Sequence, residues 1–513
     1  MKRISALFLC AITILSTLTV VCAESPETHL QASDKEPVIA EAEDITRSVS
    51  INTHGFGSAG RMTDGRCSAY SEGESGSYID ISSSEDIGGI YLLFDEELDT
   101  FSVSTKDKSA DCSGEFIHCY VDTAELLGED VRELRLSFRE QVKISEIYVL
   151  SVGECPDWVQ RWEPTPERCD VLLISTHSDD EHLFFAGILP YYTSQGRIVA
   201  VAYMTEHYNE HVRRHERLDG LWTAGVRTYP IVGSFTDRYS EDIAWATSNF
   251  TYDGHTLDEL DAFCVELFRR TRPLVVFTHD FEGEYGHGQH MLLAESVARS
   301  LYISMYPDKY PESAQRYGTY EVPKAYFHMW GDEQFFFDFD TPSEALGGLS
   351  PFEVSRQAFS CHQSQIPSVF SRWIFGKNNE IKTASEIEEH SPLKFGLYHS
   401  IVGRDTGTGD VFEHLTPYSE VVLPPDTEAD TTQDTTPETT PDTMTETMTD
   451  TMTDTMTGIS TETLVESESV SLDTTEPSDK EAPYAHNFAF FVIPTGISAA
   501  IVTVLLIKKK KRT

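Results

Sequence analysis

The amino-acid sequence predicts an α/β protein with a Rossmann-like, doubly wound parallel sheet, preceded by an all-β jelly-roll sandwich domain. Apolar runs at residues 171–175 and 274–278 are typical of buried parallel strands, and each is followed by polar residues and a helical pattern. Strand and helix patterns alternate between residues 165 and 417. Residues 36–153 instead show short strands separated by Gly, Ser and Asp turns, which favours a sandwich.

The first element of the chain is a predicted secretory signal peptide at residues 1–23. Two basic residues precede an apolar run, and small residues end this run just before Glu24. The mature chain is therefore expected to be exported from the cytoplasm.

The predicted sandwich at residues 36–153 contains five recognisable strands. They lie at residues 77–81, 89–94, 116–121, 133–138 and 144–150. The run M-T-D-G-R at 62–66, together with the last strand, resembles the galactose-binding-like, or discoidin, jelly-roll family. The resemblance implies glycan binding, and a purely structural packing domain fits the sequence equally. All six Trp residues follow residue 157, so a sugar platform here would depend on Tyr70 or Tyr78.

The next segment alternates helices with strands. Residues 183–189, after the first strand, are expected to form the apolar face of a helix. The elements that follow are a strand at 197–205, helices at 209–224 and 257–272, and a strand at 324–330. Ligands of such sheets bind at the carboxyl ends of the strands, so Met204 and Thr205 are expected to contact the substrate.

One histidine and three carboxylates directly follow the first strand. His177, Asp179, Asp180 and Glu181 occupy the turn between this strand and its helix. In open α/β sheets this turn lies in the crevice where ligands bind. Acidic residues at a helix start also serve as N-caps, so this cluster alone fits a structural role as well.

A second cluster, H-D-F-E-G-E-Y-G-H-G-Q-H at 279–290, follows the second strand. His287 and His290 are three residues apart and share a face if a helix has begun. Two histidines and a carboxylate that leave one coordination position open are a ligand set for catalytic zinc, and they also suit ferrous iron. Two such clusters after two strands favour a functional site over helix caps.

These residues resemble the motifs of the GlcNAc-phosphatidylinositol de-N-acetylase-like (PIG-L/LmbE) metal-dependent deacetylases. The family's A-H-P-D-D-E corresponds to T-H-S-D-D-E at 176–181, and its R-x-x-E is similar to R-R-H-E at 213–216. Its Y-G-H-P-D-H corresponds to Y-G-H-G-Q-H at 285–290, where Gln289 replaces an acid. The run C-H-Q-S-Q at 361–365 is similar to the family's H-x-S-Q element.

The resemblance implies metal-dependent hydrolysis of an acetamide. His177, Asp180 and His290 would hold the metal, which would be Zn²⁺ or Fe²⁺. Asp179 would be the general base, taking a proton from the attacking water and passing a proton to the leaving amine.

Two further residues are expected to stabilise the oxyanion that forms when the acetamide carbonyl is attacked. They are Tyr285 and His287, the latter better suited as an imidazolium. Arg213 would hold substrate hydroxyls or a neighbouring anionic group. The alternative for Arg213 is a solvated helix face on which it pairs with Glu216.

The C-terminal part of the chain is predicted to tether the protein to a membrane. Residues 424–483, dominated by Thr, Asp, Glu and Pro, cannot bury a core and are expected to form a disordered stalk. The uncharged residues 488–507 are long enough to span a bilayer. The basic residues 508–513 then form a cytoplasmic tail, which places the bulk of the chain outside.

Composition excludes one class of partner. With a formal net charge of −45, the chain lacks the clustered basic residues that phosphate binding needs, which excludes a nucleic-acid partner.

Seven cysteines follow residue 23, an odd number, and Cys112 with Cys119 is the expected local disulfide. The sequence does not fix the oligomeric state.

The sequence as a whole predicts a single-pass cell-surface protein with metal-dependent de-N-acetylase activity. Its expected substrate is an N-acetylated glycan or glycolipid of the N-acetylglucosamine type. Two alternatives remain: a catalytically inactive surface glycan-binding protein, and an amidase that acts on another N-acyl substrate. The presence of Asp179 beside all three ligands favours an active enzyme over the first alternative.

Overall fold

The computed structural model describes residues 40–421, apart from four short gaps. The gaps are residues 129–130, 208–209, 332–333 and 407–409. Four predicted segments lie outside the described residues: the signal peptide at 1–23, the stalk at 424–483, the membrane helix at 488–507 and the basic tail at 508–513. Within the described residues, no helix is both long enough and apolar enough to cross a membrane.

The N-terminal part of the described chain, residues 40–153, is built mainly of strands. Its elements are β1 (Ser50–Phe56), β2 (Ser71–Phe94), β3 (Leu98–Ser104), β4 (Ser109–Gly114), β5 (His118–Asp122), α1 (Thr123–Leu127), β6 (Val131–Phe138) and β7 (Val142–Ser151). Strand β2 pairs with β1, β5 and β6 in antiparallel orientation, and it also pairs with β7. All seven strands are thereby connected in one sheet. The pairing does not separate the two sheets of a sandwich, so the galactose-binding-like jelly roll stays a prediction.

The strands predicted separately at 77–81 and 89–94 belong to one continuous strand, β2. Strand β1 pairs with its first half, while β5 pairs with its second half. The β2–β6 register shifts between Ser82 and Ile87, where the sequence is polar. The pairing partners of β2 change at this polar segment, but the strand does not end there. Because polar residues are typical of turns, the sequence alone predicts a turn at this point.

A second seven-stranded sheet forms the centre of the following region. Its strands are β8 (Val171–Ser175), β9 (Val199–Glu206), β10 (Ile231–Thr236), β11 (Val275–Thr278), β12 (Lys324–His328), β13 (Gln334–Phe336) and β14 (Lys394–Ser400). In the order β10-β9-β8-β11-β12-β14-β13, the first five strands are parallel, and β14 runs antiparallel to both of its neighbours, β12 and β13. The α/β prediction is confirmed, but the wholly parallel sheet is wrong at this edge, where β14 returns beside β12.

Helices cover both faces of this sheet. They are α2 (Asp180–Leu183), α3 (Ile188–Thr193), α4 (His211–Thr223), α5 (Ile243–Tyr252), α6 (Leu257–Thr271), α7 (Gly288–Ile303), α8 (Pro311–Tyr317), α9 (Pro351–Phe359) and α10 (Arg372–Phe375). Successive side chains of β8 lie on opposite faces of the sheet, as expected for a strand. Leu172 and Ile174 pack in a core with α6 and α7, and Val171 and Leu173 pack in a core with α3, α4 and α9. The sheet is therefore doubly wound.

The single helix expected over residues 183–189 is broken in two. Helix α2 ends at Leu183 and α3 begins at Ile188. Gly187 between them has a φ of 104°, which a right-handed helix cannot accommodate. A Cβ at this glycine would lie 2.3 Å from the ring of Phe339. Apolar periodicity continued across this break, so the sequence pattern did not reveal it.

The order of the parallel strands reverses between β8 and β11, because β9 and β10 lie on one side and β12 lies on the other. Ligands of open α/β sheets bind in the crevice at such a switch point. The two predicted clusters stand at the carboxyl ends of these same two strands. The fold therefore brings them to one place.

All seven described cysteines are free thiols. The disulfide expected between Cys112 and Cys119 is therefore wrong. The thiol of Cys119 instead donates to the carbonyl oxygen of Ser113 at 3.6 Å. Burial raises the pKa of the Cys112 thiol to about 11, so this thiol stays protonated at neutral pH.

Candidate active site

Three donor atoms converge at the carboxyl ends of β8 and β11. Oδ2 of Asp180 lies 3.1 Å from Nδ1 of His177 and 3.2 Å from Nε2 of His290. The two imidazole nitrogens are 3.2 Å apart, and all three side chains are buried. A tetrahedral zinc ion with ligand bonds of about 2.0–2.1 Å separates its ligands by about 3.3 Å. The three predicted ligands thus form a triangle that fits such an ion.

His279 also faces the carboxylate of Asp180, but the lone pair on its Nε2 already accepts a hydrogen bond. Nε2 of His279 lies 3.6 Å from Oδ2 of Asp180. It accepts a hydrogen bond from the backbone N–H of Thr176 at 2.9 Å, while Nδ1 contacts Glu284 at 2.7 Å. His279 therefore supports the turn that carries the ligands and is not itself free to be one.

Glu284 is a buried carboxylate behind the ligands. It accepts a hydrogen bond of 2.7 Å from Nδ1 of each of three histidines, His279, His290 and His328. Burial alone would raise the pKa of Glu284, but the imidazoles hold it well below its ordinary value, so the group stays charged. A carboxylate on the far nitrogen of a ligating histidine fixes its tautomer and ring orientation. Glu284 therefore directs Nε2 of His290 toward the ligand triangle.

The far nitrogen of His177 is held in a similar way. Its Nε2 lies 3.3 Å from Oε1 of Gln289 and 3.4 Å from Oδ1 of Asp237. The Gln289 amide is itself fixed, because its Nε2 donates to the carbonyl oxygen of Thr236 at 2.8 Å. Gln289 stands where the resembled motif has an acid, and its amide oxygen still contacts the ligand histidine.

Asp179 lies beside the ligand triangle without belonging to it. Its φ of 138° is rare for a residue with a side chain, and its N–H donates to Oε2 of Glu181 at 2.8 Å. Its Oδ2 lies 3.5 Å from Nη2 of Arg213. Burial raises the pKa of Asp179 to about 7, while the Arg213 guanidinium opposes that rise. This pKa suits a general base that works near neutral pH.

Arg213 is buried and holds the Asp179 turn. Its Nη2 donates to the carbonyl oxygen of Ser178 at 2.8 Å, next to the contact with Asp179. Glu216 instead accepts hydrogen bonds from the N–H and the hydroxyl of Ser364, at 2.7 and 2.5 Å. The alternative of a solvated Arg213–Glu216 pair is therefore wrong.

The strands of residues 40–153 pack against the helix that carries Arg213. Nη1 of Arg214 donates to the carbonyl oxygen of Asp95 at 2.8 Å. Nε2 of His118 lies 2.9 Å from Nδ1 of His215, and burial lowers the pKa of His118 to about 3, so this contact joins neutral rings. These contacts hold α4 against the N-terminal strands, which favours a packing role for those strands.

The two tyrosines considered as a sugar platform are already engaged. The ring of Tyr78 stacks on His54 at 4.2 Å, and the guanidinium of Arg135 lies 3.9 Å from its centroid. The ring of Tyr70 contacts His211 edge to face at 5.3 Å.

Two hydrogen-bond donors flank the ligands, as expected. Nδ1 of His287 accepts from the N–H of Gln289 at 3.2 Å, which leaves the ring proton on Nε2. Burial, together with His290 and His177, lowers the pKa of His287 to about 2, so it is neutral and not the expected imidazolium. Burial raises the pKa of Tyr285 well above its ordinary value, so its hydroxyl keeps its proton.

These groups surround a cavity of about 110 Å³. It is lined by His177, Asp179, Asp180, Leu183, Phe184, Arg213, Asp237, Tyr239, Tyr285, His287, Gln365 and Phe370. Pockets that enclose a whole ligand are larger, about 300–1,000 Å³, so this cavity accepts one group of a ligand. Met204 and Thr205, expected to contact the substrate, are buried in the sheet and are not among the lining residues. The Thr205 hydroxyl donates to the carbonyl oxygen of Thr176 at 2.9 Å and so supports the turn.

Sequence reasoning missed four residues that support the site, and three of them had a usable signal. Asp237 and His279 directly follow β10 and β11, and His328 ends β12. This position after a strand is the same signal that identified His177. Glu284 had no such signal, because the loop also contains Glu282, which is exposed.

The sequence of this region matches a known protein family. The family model of the GlcNAc-PI de-N-acetylases, PIG-L, matches residues 172–301. The match supports a PIG-L family deacetylase domain. The chain is 25% identical over 179 residues to a 1D-myo-inositol 2-acetamido-2-deoxy-alpha-D-glucopyranoside deacetylase of Rhodococcus erythropolis, an alignment that covers 31% of this chain and 60% of the relative.

Two more similar proteins extend the comparison. A second deacetylase of the same description, from Saccharopolyspora erythraea, is 26% identical over 207 residues, with 36% of this chain and 72% of the relative covered. Among solved structures, an N,N'-diacetylchitobiose deacetylase from Pyrococcus horikoshii has a TM-score of 0.34 and 17% identity, and covers 49% of this chain and 88% of that one. The aligned part of the Rhodococcus enzyme is less than two thirds of its length.

Proposed function

We propose that this chain is a metal-dependent de-N-acetylase that hydrolyses the acetamide of an N-acetylglucosamine-type glycan or glycoconjugate. The observation that carries the proposal is the placement of Asp179, a buried carboxylate with a pKa of about 7 that faces the cavity beside three ligand atoms. The PIG-L match and two relatives named for deacetylating a 2-acetamido-2-deoxyglucopyranoside support this substrate class.

The metal would be held by His177, Asp180 and His290. Two imidazoles and one carboxylate suit Zn²⁺, and they also suit Fe²⁺. When bound, the ion would polarise the acetamide carbonyl and lower the pKa of water at the site. Glu284 would keep His290 oriented, and Gln289 would do the same for His177.

Asp179 would act as the general base. It takes a proton from the water that attacks the carbonyl carbon, and it delivers that proton to the nitrogen as the C–N bond breaks. The products are acetate and a free amine, so the base ends each turnover ionised. Arg213, 3.5 Å from Oδ2 of Asp179, stabilises that ionised form.

His287 and Tyr285 would stabilise the oxyanion. Both line the cavity and both carry a proton at neutral pH, His287 on Nε2 and Tyr285 on its hydroxyl. Donors fixed where negative charge develops lower the barrier, because they need not reorganise during the reaction.

The size of the cavity fits the removal of a small acyl group. A volume of about 110 Å³ accepts the acetamide, and the sugar would remain at the mouth. Tyr239, which is 51% exposed, lines this cavity and would offer an aromatic face to the sugar there. The rest of the substrate would therefore be recognised outside the cavity.

A substrate panel tests the proposal. The full chain with added zinc is incubated with N-acetylglucosaminyl-inositol, N-acetylglucosamine oligosaccharides and N-acetyl amino acids, and released acetate and free amine are measured. Acetate from the acetamido sugars alone is expected. Acetate from the N-acetyl amino acids alone would favour the amidase alternative, and glycan binding by zinc-loaded protein without any acetate would favour the inactive binding protein.

We also propose that the enzyme is displayed on the outer face of a cell membrane. The support comes from the sequence at residues 1–23, 488–507 and 508–513. Protease added to intact cells that express the full chain should remove the domain at 165–417. Protection of this domain until the cells are lysed would contradict the proposal.

A further inference from the structure

A second group of metal-ligand side chains lies outside the candidate active site. Oε1 of Glu181 is 3.4 Å from Nε2 of His182 and 3.8 Å from Nε2 of His362. Glu181 and His182 belong to α2, and His362 follows α9. The three donor atoms all lie within 4.8 Å of one another, and none of these residues belongs to the first ligand triangle.

These donors are buried, and the hydroxyl of Tyr203 is a further polar side-chain group that interacts with Glu181. Glu181, His182 and His362 are each 0% exposed. Among the described residues, Oε1 of Glu181 and both ring nitrogens of each histidine have no hydrogen-bond partner. Buried polar groups in folded proteins are nearly always paired, so this concentration of unpaired atoms indicates a missing ligand.

Gly220 of α4 lies close to the two histidine donors. A Cβ added to Gly220 would lie 2.8 Å from Nε2 of His182 and 2.9 Å from Nε2 of His362. Both nitrogens therefore lie close to the same point beside this glycine. Any side chain at position 220 would displace at least one of them.

We propose that Glu181, His182 and His362 form a second divalent-cation site, suited to Zn²⁺. Two imidazole nitrogens and one carboxylate oxygen are zinc ligands, and tetrahedral coordination separates neighbouring ligands by about 3.3 Å. The 3.4 and 3.8 Å separations need only a small adjustment to reach that value.

Two arginines approach this group, but each has an anionic partner of its own. Arg213 lies 3.5 Å from Asp179 and 3.5 Å from Asp237. Arg217 lies 3.8 Å from Glu206. Their positive charges are therefore balanced by carboxylates outside the group, and Glu181 remains available to a cation.

The second ion would position the general base. Oε2 of Glu181 accepts the backbone N–H of Asp179 at 2.8 Å, while Oε1 faces the two histidines. A cation that fixes Oε1 also fixes the carboxylate plane, and with it the strained backbone of Asp179. The role is structural, and it does not rest on the proposed function, because an inactive chain would hold this ion equally.

Metal counting in the wild type and four variants tests the proposal. Metal-free full chain is loaded with zinc, freed of excess, and measured by elemental analysis with folding checked by circular dichroism. We expect about two ions per wild-type chain, about one in His177→Ala, about one in His362→Gln, and none in the double variant. The His54→Gln variant, changed at a histidine of β1 far along the chain, should keep both.

The wild-type count needs no variant, so a folding failure in His362→Gln does not remove the test. One ion in the wild type and none in His177→Ala would overturn the second site, and would indicate that water satisfies the buried group. One ion in the wild type that is lost in His362→Gln but kept in His177→Ala would instead refute the first ligand triangle and retain the second site.

Discussion

Glu284 offers the sharpest test of how the ligands are held. The Glu284→Gln variant keeps the shape of the side chain but replaces a charged acceptor with a neutral amide. The wild-type carboxylate accepts 2.7 Å hydrogen bonds from His279, His290 and His328. The amide has one acceptor oxygen and an NH₂ group that cannot accept, so at least one buried imidazole N–H loses its partner.

Two general magnitudes apply to this substitution. Loss of a carboxylate behind a ligating histidine costs about tenfold to a hundredfold in metal affinity, which is about 1.4–2.8 kcal/mol. An unpaired buried donor costs about 1–3 kcal/mol in the free energy of unfolding. Because His290 is one of three ligands, we expect zinc affinity to fall by that factor while the metal still binds.

The assay is a competition titration of zinc between the protein and a chromophoric chelator, followed by thermal unfolding of the metal-free protein. The matched control is Glu282→Gln, which changes an exposed carboxylate two residues away. The control should match wild type in both measurements. Wild-type zinc affinity in Glu284→Gln would refute the view that this carboxylate orients the ligand.

Three further predictions concern the chemistry. Asp179→Asn should retain zinc and lose about a hundredfold to ten-thousandfold in turnover, since the amide cannot take a proton; loss of zinc in the same variant would make Asp179 a ligand instead. His287→Ala should lose about a hundredfold to a thousandfold in kcat with zinc retained, and Tyr285→Phe should lose less; unchanged kcat in His287→Ala would remove it from the oxyanion site. The value of kcat/KM should fall below about pH 7, where Asp179 becomes protonated. The Arg213→Met variant should move that fall to higher pH, because the positive charge of Arg213 lowers the pKa of Asp179 in the wild type. An unmoved pH profile in this variant would exclude the coupling.

The closeness of His177, Asp180 and His290 could be predicted from the sequence because two strong local signals coincide there, and their role as metal ligands stays a prediction. A buried strand that ends in polar residues places His177 and Asp180 at the sheet edge, and the same logic places His290 after β11. The doubly wound arrangement then brings the two edges together. Sequence spacing was sufficient for these residues because the parallel core is regular.

The supporting residues depend on contacts between segments far apart in sequence. His328 reaches Glu284 from 44 residues away, and Arg213 reaches Ser178 across 35 residues. The periodicity of apolar residues within one segment does not reveal such contacts. The break at Gly187 and the shift of partners along β2 were missed for the same reason, because packing against Phe339 and pairing with other strands decide them.

Acetate release that depends on Asp179 is the most direct evidence for a metal-dependent de-N-acetylase. The full chain and its Asp179→Asn variant, each loaded with zinc and confirmed to contain it, are incubated with N-acetylglucosaminyl-inositol, and acetate is measured by a coupled enzymatic assay. We expect the wild type to release acetate and free amine in equal amounts, a chelator to stop the release, and Asp179→Asn to be at least about a hundredfold slower. Equal rates in the two zinc-loaded proteins would show that Asp179 is not the general base.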